Sequence, residues 1–444
     1  MAWRWVIPAG ISRPCPWCAG KLRWLTTDLA GQTAPGGDLA FFVNMTHART
    51  PLPNSIIEIG IVAGEASGDL HAGALIAELR RRHPEWRCFG CGGEHLRAAG
   101  CELLLDSREL SVLGLAEVVR HLPRIYGHYR RLWRAIAARR PRALILVDFP
   151  DFNLRLARRA RQANIPVIYF ISPQVWAWRP RRVRLLRRTV RRMICIFPFE
   201  PAFYQQHGMD AVFAGHPLLD RIPPPAQRSV SEQAAWRKAH GLEAATPVVA
   251  LLPGSRRREL EYHLPVLLEA ARRLRAERDV QFAIAAAPGL NEGEIQAAIP
   301  ETARGFIRVL TGATYELLAQ AEIAIVASGT ATLEAGLLEV PMIVVYRLSP
   351  WTYRLGRRLV RTPYIAMANL VLGEAAVPEL VQDGFTPEAV VKWARNLLDD
   401  PEARQRMREK LSCLRTCLGE PGAMGRAAAE VEAVIQDTSS QYES

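Results

Sequence analysis

The feature that most constrains the fold of this chain is a unit that recurs along it: an apolar run, a short loop and an amphipathic stretch. In one such unit, residues 248–252 read Val-Val-Ala-Leu-Leu, Pro253 and Gly254 end the run, and the next residues place leucines on one helical face. A short apolar run bounded by turn residues is typical of a buried strand, and leucines three and four residues apart are typical of a helix. The unit therefore predicts a strand, a tight loop and a helix.

The same unit repeats in two blocks. The predicted strands of the first block are 56–63, one ending near 90, 143–147, 165–171, 193–197 and 212–213, and those of the second are 248–252, 281–286, 307–310, 323–327 and 342–346. Strands that alternate with helices predict parallel, doubly wound sheets. The fold class is therefore α/β, with two Rossmann-like domains facing across a cleft between their strand ends.

The domain boundaries follow from where this pattern starts and stops. A chain of 444 residues has room for two or three domains. Residues 1–54 carry scattered glycine and proline without a period, so we expect a poorly ordered extension, and Met45 is a candidate for the true start. The remaining segments are a first domain at 55–220, a proline-rich linker at 221–232, a second domain at 233–385 and C-terminal helices at 386–444 that close the fold.

The net charge restricts the kinds of partner. A formal charge of +13 favours an acidic partner, which leaves nucleic acid, an anionic membrane surface or a phosphorylated substrate. The sequence has no run of about 20 uncharged apolar residues, so it predicts no spanning helix. Residues 1–20 are interrupted by three prolines and make a poor signal peptide.

The eight cysteines include two C-x-x-C pairs, Cys15/Cys18 and Cys88/Cys91. Two such pairs can in principle form a four-cysteine zinc site. The first pair lies in the irregular extension and the second resembles a strand end, so we expect reduced thiols instead, as in a cytosolic protein.

Two loops of the second domain have the residues of a phosphate site. Gly254 allows a ligand close to the backbone, Ser255 can cap the helix or donate to a phosphate, and Arg256 adds a planar cation. Taken alone, this stretch is equally compatible with a turn bearing surface arginines. A second such loop, Ser328-Gly329-Thr330, follows another strand, and two helix N-termini from one sheet can cradle a diphosphate. Glu334 then lies within reach of a ribose, or only stabilises its helix.

Asp148 is the candidate catalytic residue. It directly follows the apolar run 143–147, at the strand end where ligands bind in such sheets. A carboxylate at that depth can take a proton from a substrate hydroxyl. The alternative is a helix cap, a role that Asp151 or Asn153 can also fill.

Two further stretches combine apolar or aromatic residues with arginine. Residues 110–122 are rich in valine and leucine, and Arg124, Arg130, Arg131 and Arg134 follow, which suits a membrane surface or acyl chains. A helix packed on the sheet with a solvated basic face explains the same pattern. Trp176, Trp178 and the arginines of 179–192 suit either nucleic-acid contacts or a core aromatic beside a solvated helix.

At this point the chain resembles the lipid-A-disaccharide synthase family, glycosyltransferases of the GT-B type. The segments that carry the resemblance are VAGEASGD at 62–69, DFPDFN at 148–153, SPQVWAWR at 172–179, LPGSR at 252–256, ASGTATLE at 327–334, YR at 346–347, TPY at 362–364 and NL at 369–370. They occur in order over roughly residues 56–430, and so many motifs in order are far more specific than any one of them. Residues 1–54 have no counterpart.

The resemblance implies a reaction. The family joins UDP-2,3-diacylglucosamine to 2,3-diacylglucosamine 1-phosphate, with inversion, to give a β-1,6-linked lipid A precursor and UDP. The resemblance implies that Asp148 is the base that deprotonates the acceptor 6-hydroxyl. The donor site is expected at Gly254, Ser255, Arg256, Ser328, Gly329, Thr330, Glu334 and Asn369, and the acceptor site or its loops at Ser67, Gly68, Asp69 and Gln174.

The resemblance also implies surroundings. Both substrates are lipids, so Val112, Leu113, Leu115, Val118 and Val119 are expected to contact the anionic inner leaflet of the inner membrane, with the enzyme on its cytoplasmic side. No metal or other cofactor is expected, no nucleic acid is bound, and a homodimer is left open. The alternatives are another sugar-nucleotide enzyme, such as a UDP-GlcNAc epimerase or the glycosyltransferase of peptidoglycan synthesis, and a basic nucleic-acid-binding protein.

Overall fold

The structure is a computed structural model that describes residues 57–109, 115–178, 180–225, 229–350, 353–354 and 362–440. The expected extension at 1–54, the cysteines Cys15 and Cys18, and Val112 and Leu113 lie outside these ranges. Leu115, Val118 and Val119 lie in a described helix, but their side chains are outside the description.

The first domain is built on a parallel sheet of seven strands. The strands are β1 (Glu58–Ala63), β2 (Arg87–Gly92), β3 (Glu102–Asp106), β4 (Ala143–Val147), β5 (Val167–Phe170), β6 (Arg192–Cys195) and β7 (Ala211–Phe213), in the order β3-β2-β1-β4-β5-β6-β7. The order reverses between β1 and β4, which pair directly, with Ala63 opposite Val147. A ligand crevice is expected where the order of such a sheet reverses.

Helices cover this sheet. They are α1 (Ala66–Arg82), α2 (Glu94–Ala98), α3 (Leu115–Arg139), α4 (Pro150–Gln162), α5 (Val175–Trp178), α6 (Val183–Thr189), α7 (Glu200–Gln206) and α8 (Leu218–Arg221). All five residues of β4 are buried, as expected of a parallel strand covered on both faces.

The second domain repeats the plan with six strands. The strands are β8 (Val248–Leu252), β9 (Gln281–Ala286), β10 (Ile307–Thr311), β11 (Ile323–Ala327), β12 (Met342–Tyr346) and β13 (Glu379–Val381), in the order β10-β9-β8-β11-β12-β13. Its helices are α9 (Val230–Ala239), α10 (Arg257–Glu277), α11 (Glu292–Ala298), α12 (Thr314–Gln320), α13 (Ala331–Leu337), α14 (Met367–Leu372), α15 (Pro387–Asp399) and α16 (Pro401–Cys417). This order also reverses once, between β8 and β11.

The last helix, α17 (Ala423–Ser440), returns to the first domain, where it packs on α1 and on the sheet at β4 to β6. Glu432 on α17 accepts a bond from His83 at 3.0 Å and pairs with Arg82 at 3.5 Å. The chain thus crosses between the domains twice, near 214–223 and near 418–422. The crossings are bonded to each other: the His216 N–H donates to the Leu418 carbonyl at 3.1 Å, and Arg426 Nε donates to the Ala214 carbonyl at 2.8 Å.

The expectation of reduced thiols is wrong at Cys88. It forms a disulfide with Cys101, just before β3 begins, while its C-x-x-C neighbour Cys91 stays a buried free thiol. The two disulfide residues are only 13 apart in sequence. The Cys88/Cys91 spacing therefore reflects a strand that is buried from Cys88 to Gly92, in which only Cys88 bonds to Cys101.

Candidate active site

Asp148 lies at the carboxyl end of β4, next to the point where the first sheet reverses its order. Asp148 and Phe149 both adopt left-handed backbone conformations, with φ of 42° and 47°. Such conformations are costly for residues other than glycine and persist only when neighbours hold them. Here the Asp148 carbonyl accepts bonds from the Tyr169 hydroxyl at 2.6 Å and from Asn153 Nδ2 at 2.8 Å. The alternative that Asp148 caps α4 is wrong, because Phe149 occupies the N-cap position.

The environment of Asp148 makes its carboxylate more basic than usual. Burial first, and the neighbouring Glu65 carboxylate second, raise the pKa of Asp148 to about 6, although the Phe149 N–H and Arg256 act in the opposite direction. A carboxylate with this pKa is still mostly ionised at neutral pH and is a stronger proton acceptor than an exposed aspartate. The group is suited to general base catalysis.

The loop that joins β1 to α1 packs against Asp148's neighbour. A side chain on Gly64 would overlap the ring of Phe149, so glycine is required for this close approach. Further along the loop, Ser67 is exposed and Gly68 is buried. The loop and the Asp148 segment therefore form one packed unit.

Asp69 is expected in the acceptor site or its loop, but in the structure its side chain makes hydrogen bonds within the first domain. Its carboxylate accepts bonds from the backbone N–H groups of Gly93 at 2.6 Å, His95 at 3.0 Å and Leu96 at 3.3 Å, and the side chain is buried. These groups belong to the first turn of α2, where free N–H groups need acceptors. Asp69 ties α1 to α2 and shapes the loop from within.

Glu65 is a site residue that the sequence patterns did not single out. Its carboxylate pairs with Arg256 of the second domain at 3.0 Å. The same carboxylate acts electrostatically on Asp148. Its position in the glycine-rich loop after β1, at a predicted strand end, was the available signal. Glu65 thus connects the two sides of the cleft.

The loop after β8 exposes Ser255 and Arg256 and bends at Gly254, where φ is 127°. Its two N–H groups, of Ser255 and Arg256, donate to the Glu259 carboxylate at 2.8 and 3.3 Å. Arg256, not Ser255, is the N-cap residue of α10. Backbone N–H groups at a helix N-terminus beside a cation form an anion site, and here two glutamates of the protein occupy it.

The second predicted loop lies beside the first. In the pairing of β8 with β11, Leu252 is opposite Val326, so the loops at 253–256 and 328–330 leave the sheet at the same level. Gly329 has a φ of 154°, Thr330 is exposed, and the Ser328 hydroxyl donates to the Ile365 carbonyl at 2.7 Å. The structure brings these predicted donor residues together with Arg256.

Glu334 is half-buried in the first turn of α13, where the Tyr315 hydroxyl donates to it at 2.9 Å. Burial raises the pKa of Glu334, whereas Tyr315 and Arg221 act to lower it. The carboxylate therefore lies in a partly dry environment suited to a sugar hydroxyl.

Asn369 is fully buried, and its amide is used within the domain. Its Nδ2 donates to the Val377 carbonyl and to Glu379, both at 2.9 Å, and its Oδ1 accepts from the N–H groups of Ala376 at 2.9 Å and Val377 at 3.0 Å. Asn369 thus fixes α14 to the start of β13, and any influence on a ligand runs through this scaffold.

Gln174 is exposed in the loop between β5 and α5. The strand before it ends at Ile171, which has a φ of 61°. A β-branched residue in the left-handed region is a strong outlier. The strands β4 and β5 are paired, with Val147 opposite Phe170. Gln174 therefore follows the end of the strand that neighbours the strand ending at Asp148.

The basic half of the stretch 110–134 is partly described. Arg130, Arg131 and Arg134 of α3 are exposed, as is Tyr126, whose side chain is 54% accessible and lies under the Arg130 guanidinium at 5.9 Å. Within the described ranges, no helix is both long and apolar enough to span a bilayer. In the same ranges, no group of three or more histidine, cysteine or acidic side chains is placed to hold a metal ion.

Comparisons with known proteins show the family of the chain. A model of the lipid-A-disaccharide synthetase family matches residues 59–424. The lipid-A-disaccharide synthase of Anaeromyxobacter sp. (strain K) is 45% identical over 386 residues, which is 86% of this chain and 99% of that protein. The enzyme of the same name from Myxococcus xanthus (strain DK1622) is 43% identical over 373 residues, which is 84% and 96% of the two chains.

Solved structures show the same fold at low identity. A UDP-GlcNAc 2-epimerase from Neisseria meningitidis bound to UDP-GlcNAc has a TM-score of 0.58 at 13% identity, covering 86% of this chain and 100% of that one. The glycosyltransferase of kitacinnamycin has a TM-score of 0.55 at 20% identity, covering 85% and 99%. The tandem sheets, the family match and relatives that align over nearly their full length lead to one conclusion: this chain belongs to the lipid-A-disaccharide synthase family, glycosyltransferases of GT-B architecture that form the lipid A disaccharide.

Proposed function

We propose that the chain condenses UDP-2,3-diacylglucosamine with 2,3-diacylglucosamine 1-phosphate, with inversion at the donor's anomeric carbon. The observation that carries this proposal is the contact of Glu65 with Arg256 across the cleft, beside Asp148. The proton acceptor, at the carboxyl edge of the first sheet, thereby faces the anion site at the carboxyl edge of the second sheet. An inverting transfer to a hydroxyl needs these two groups on opposite sides of the reacting carbon.

In the proposed reaction, Asp148 takes the proton of the acceptor 6-hydroxyl. The oxygen then forms a bond to the anomeric carbon as the bond from that carbon to the diphosphate breaks, and UDP leaves with the electron pair. The pKa of about 6 suits Asp148 to this step at neutral pH.

The leaving diphosphate gains negative charge as its bond breaks. We propose that Arg256 and the loop N–H groups of Ser255 and Arg256 stabilise this charge once the donor displaces Glu65 and Glu259. Hydrogen-bond donor groups that are in place before the reaction stabilise the developing charge without reorganising. On this proposal the reaction proceeds without a metal ion, and turnover that is unchanged by a chelator is the expected result.

The assay that tests the reaction supplies each substrate alone and then both together. We expect UDP release only with both acylated glucosamines, and a product with the mass of the disaccharide 1-phosphate. Epimerisation or UDP release with the donor alone would favour a UDP-GlcNAc epimerase activity instead. The oligomeric state, including a homodimer, follows from sedimentation of the same protein.

We also propose that the enzyme acts as a peripheral protein on the cytoplasmic face of the inner membrane. Support comes from the exposed Tyr126 and three exposed arginines of α3, which continue the apolar stretch 110–122. Serine at Val112, Leu113 and Leu115 is expected to reduce sedimentation with anionic liposomes. Serine at the exposed Trp393 of the second domain is the matched control, and equal binding of all three proteins would contradict this surface.

A further inference from the structure

Glu200 is a buried carboxylate that the proposed reaction does not use. It begins α7, just after β6, and its side chain is only 1% exposed. An ionised group in such a place is unfavourable unless several donors satisfy it. Burial indeed raises the pKa of Glu200 to about 7, against four hydrogen bonds that act to lower it.

The donors to Glu200 come from two strand ends. The Ile196 and Phe197 N–H groups, which follow β6, donate to Oε2 at 3.2 and 3.1 Å. The Trp176 indole N–H, from the segment that follows β5, donates to Oε1 at 3.1 Å. Glu200 therefore joins the segment 171–178 to the neighbouring strand end.

The segment 171–178 needs such an anchor. It begins at Ile171, whose left-handed conformation is unfavourable for a β-branched residue. A second buried contact, between the Ser172 and Tyr204 hydroxyls at 2.6 Å, lies beside Glu200. Strained backbone is kept only where surrounding contacts determine it, and it concentrates at functional sites.

The anchored segment follows β5, the strand next to the one that ends at Asp148. Tyr169, on the strand that leads into it, donates to the Asp148 carbonyl at 2.6 Å, and β5 pairs with β4 up to Phe170 and Val147. The exposed side chain of Gln174 lies on the same segment. A shift of this segment therefore moves the wall of the cleft beside the base.

We infer that Glu200 is a positioning residue for the acceptor: its carboxylate fixes the segment 171–178, and with it Gln174, beside Asp148. This inference rests on the proposed function. Glu200 touches no substrate, and it acts through Trp176 and the backbone of the segment.

The test compares Glu200→Gln and Trp176→Phe with wild type. Glutamine keeps the size of the side chain but has one acceptor oxygen, and phenylalanine keeps an aromatic ring but removes the N–H donor. We expect the acceptor KM to rise about tenfold in Glu200→Gln, corresponding to about 1.4 kcal/mol, and less in Trp176→Phe. The donor KM and the affinity for UDP stay within about twofold, because the donor loops lie in the other domain.

Glu432→Gln is the matched control, because Glu432 is also a buried carboxylate of the first domain but binds Arg82 and His83. A purely structural role of Glu200 would lower the amount of active enzyme, and so kcat, without changing KM. An unchanged acceptor KM in Glu200→Gln, or an equal rise in Glu432→Gln, overturns the inference.

Hydrogen exchange checks the anchor without turnover. Amides of 171–178 are expected to exchange faster in Glu200→Gln than in wild type and in Glu432→Gln, and equal exchange in all three proteins overturns the inference. A wild-type enzyme that forms no disaccharide contradicts the proposed function instead, so the two failures are distinguishable.

Discussion

The two sides of the cleft are built in opposite ways. On the second-domain side, Ser255 and Arg256 are exposed, and their charged and polar groups are held by glutamates that a ligand can replace. On the first-domain side, Asp148 and Phe149 are strained, and buried side chains hold the backbone. Exposed ion pairs contribute little energy, so they exchange easily, whereas a strained segment keeps its geometry only through its surroundings. This difference fits the proposal that the adaptable side binds the donor and the rigid side carries out the proton transfer.

The strongest way to break this comparison is Asp148→Asn. Asparagine tolerates the left-handed conformation and keeps the size of the side chain, but it cannot accept the proton. We expect kcat to fall about 10³-fold, within the range for a lost general base, with unchanged UDP affinity. Rates close to those of wild type would remove Asp148 as the base.

The rigidity of the first-domain side is tested by Gly64→Ala. The added methyl group would overlap the Phe149 ring and displace the segment that carries Asp148. Because small displacements of catalytic groups are costly, we expect kcat to fall about 10- to 100-fold with UDP binding intact. Gly305→Ala is the control, since a Cβ at Gly305 meets no atom within 4 Å. Similar kinetics of the two variants would mean that this side also adapts.

The adaptable side is tested by Arg256→Ala. Loss of a charged hydrogen-bond donor to the diphosphate is expected to raise the Kd of UDP about 10- to 100-fold, or about 1.5–3 kcal/mol. Arg257→Ala, one residue further on, removes an arginine that pairs with Glu261 and Glu294 instead, and should bind UDP like wild type. Unchanged inhibition of Arg256→Ala by UDP would contradict the assignment.

The smallest expected effect is a shift in the pH dependence of the reaction when Glu65, which connects the two sides of the cleft, is changed. Asp148 must be ionised to act, so kcat/KM is expected to fall about tenfold per pH unit below its pKa of about 6. Glu65→Gln removes a negative neighbour that raises this pKa, so the acidic limb should move to lower pH. A limb that stays in place in a pH–rate profile would mean that Glu65 does not influence the base.

Much of the fold could be predicted because parallel strands buried on both faces are continuous apolar runs. The runs at 143–147, 248–252, 281–286, 323–327 and 342–346 coincide with observed strands. The strands that were missed, β3 and β13, are edge strands. They are only partly buried, and each begins with glutamate. Their apolar pattern is therefore too weak to separate them from loops.

The location of a candidate site residue was predictable where that residue directly follows a strand. Asp148, Arg256 and the loop 328–330 follow strands, so a parallel sheet brings them to its carboxyl edge. Asp69 and Asn369 have side chains suited to ligands. In the structure these side chains instead hydrogen-bond to backbone groups outside their own helices, which the sequence pattern does not reveal. Glu65 and Glu200 depend on partners from other elements, Arg256 and Trp176, which sequence spacing does not reveal.

The return of α17 to the first domain restricts how the cleft can close. The second domain is attached at both of its ends, and the two attachments are bonded together through His216 and Leu418 and through Arg426 and Ala214. A domain attached by one flexible chain segment can rotate in any direction. A domain attached by two segments that are bonded to each other is expected to rotate mainly about a single hinge axis. We therefore expect the cleft to open mainly by rotation about one axis, a motion that would break the Glu65–Arg256 contact.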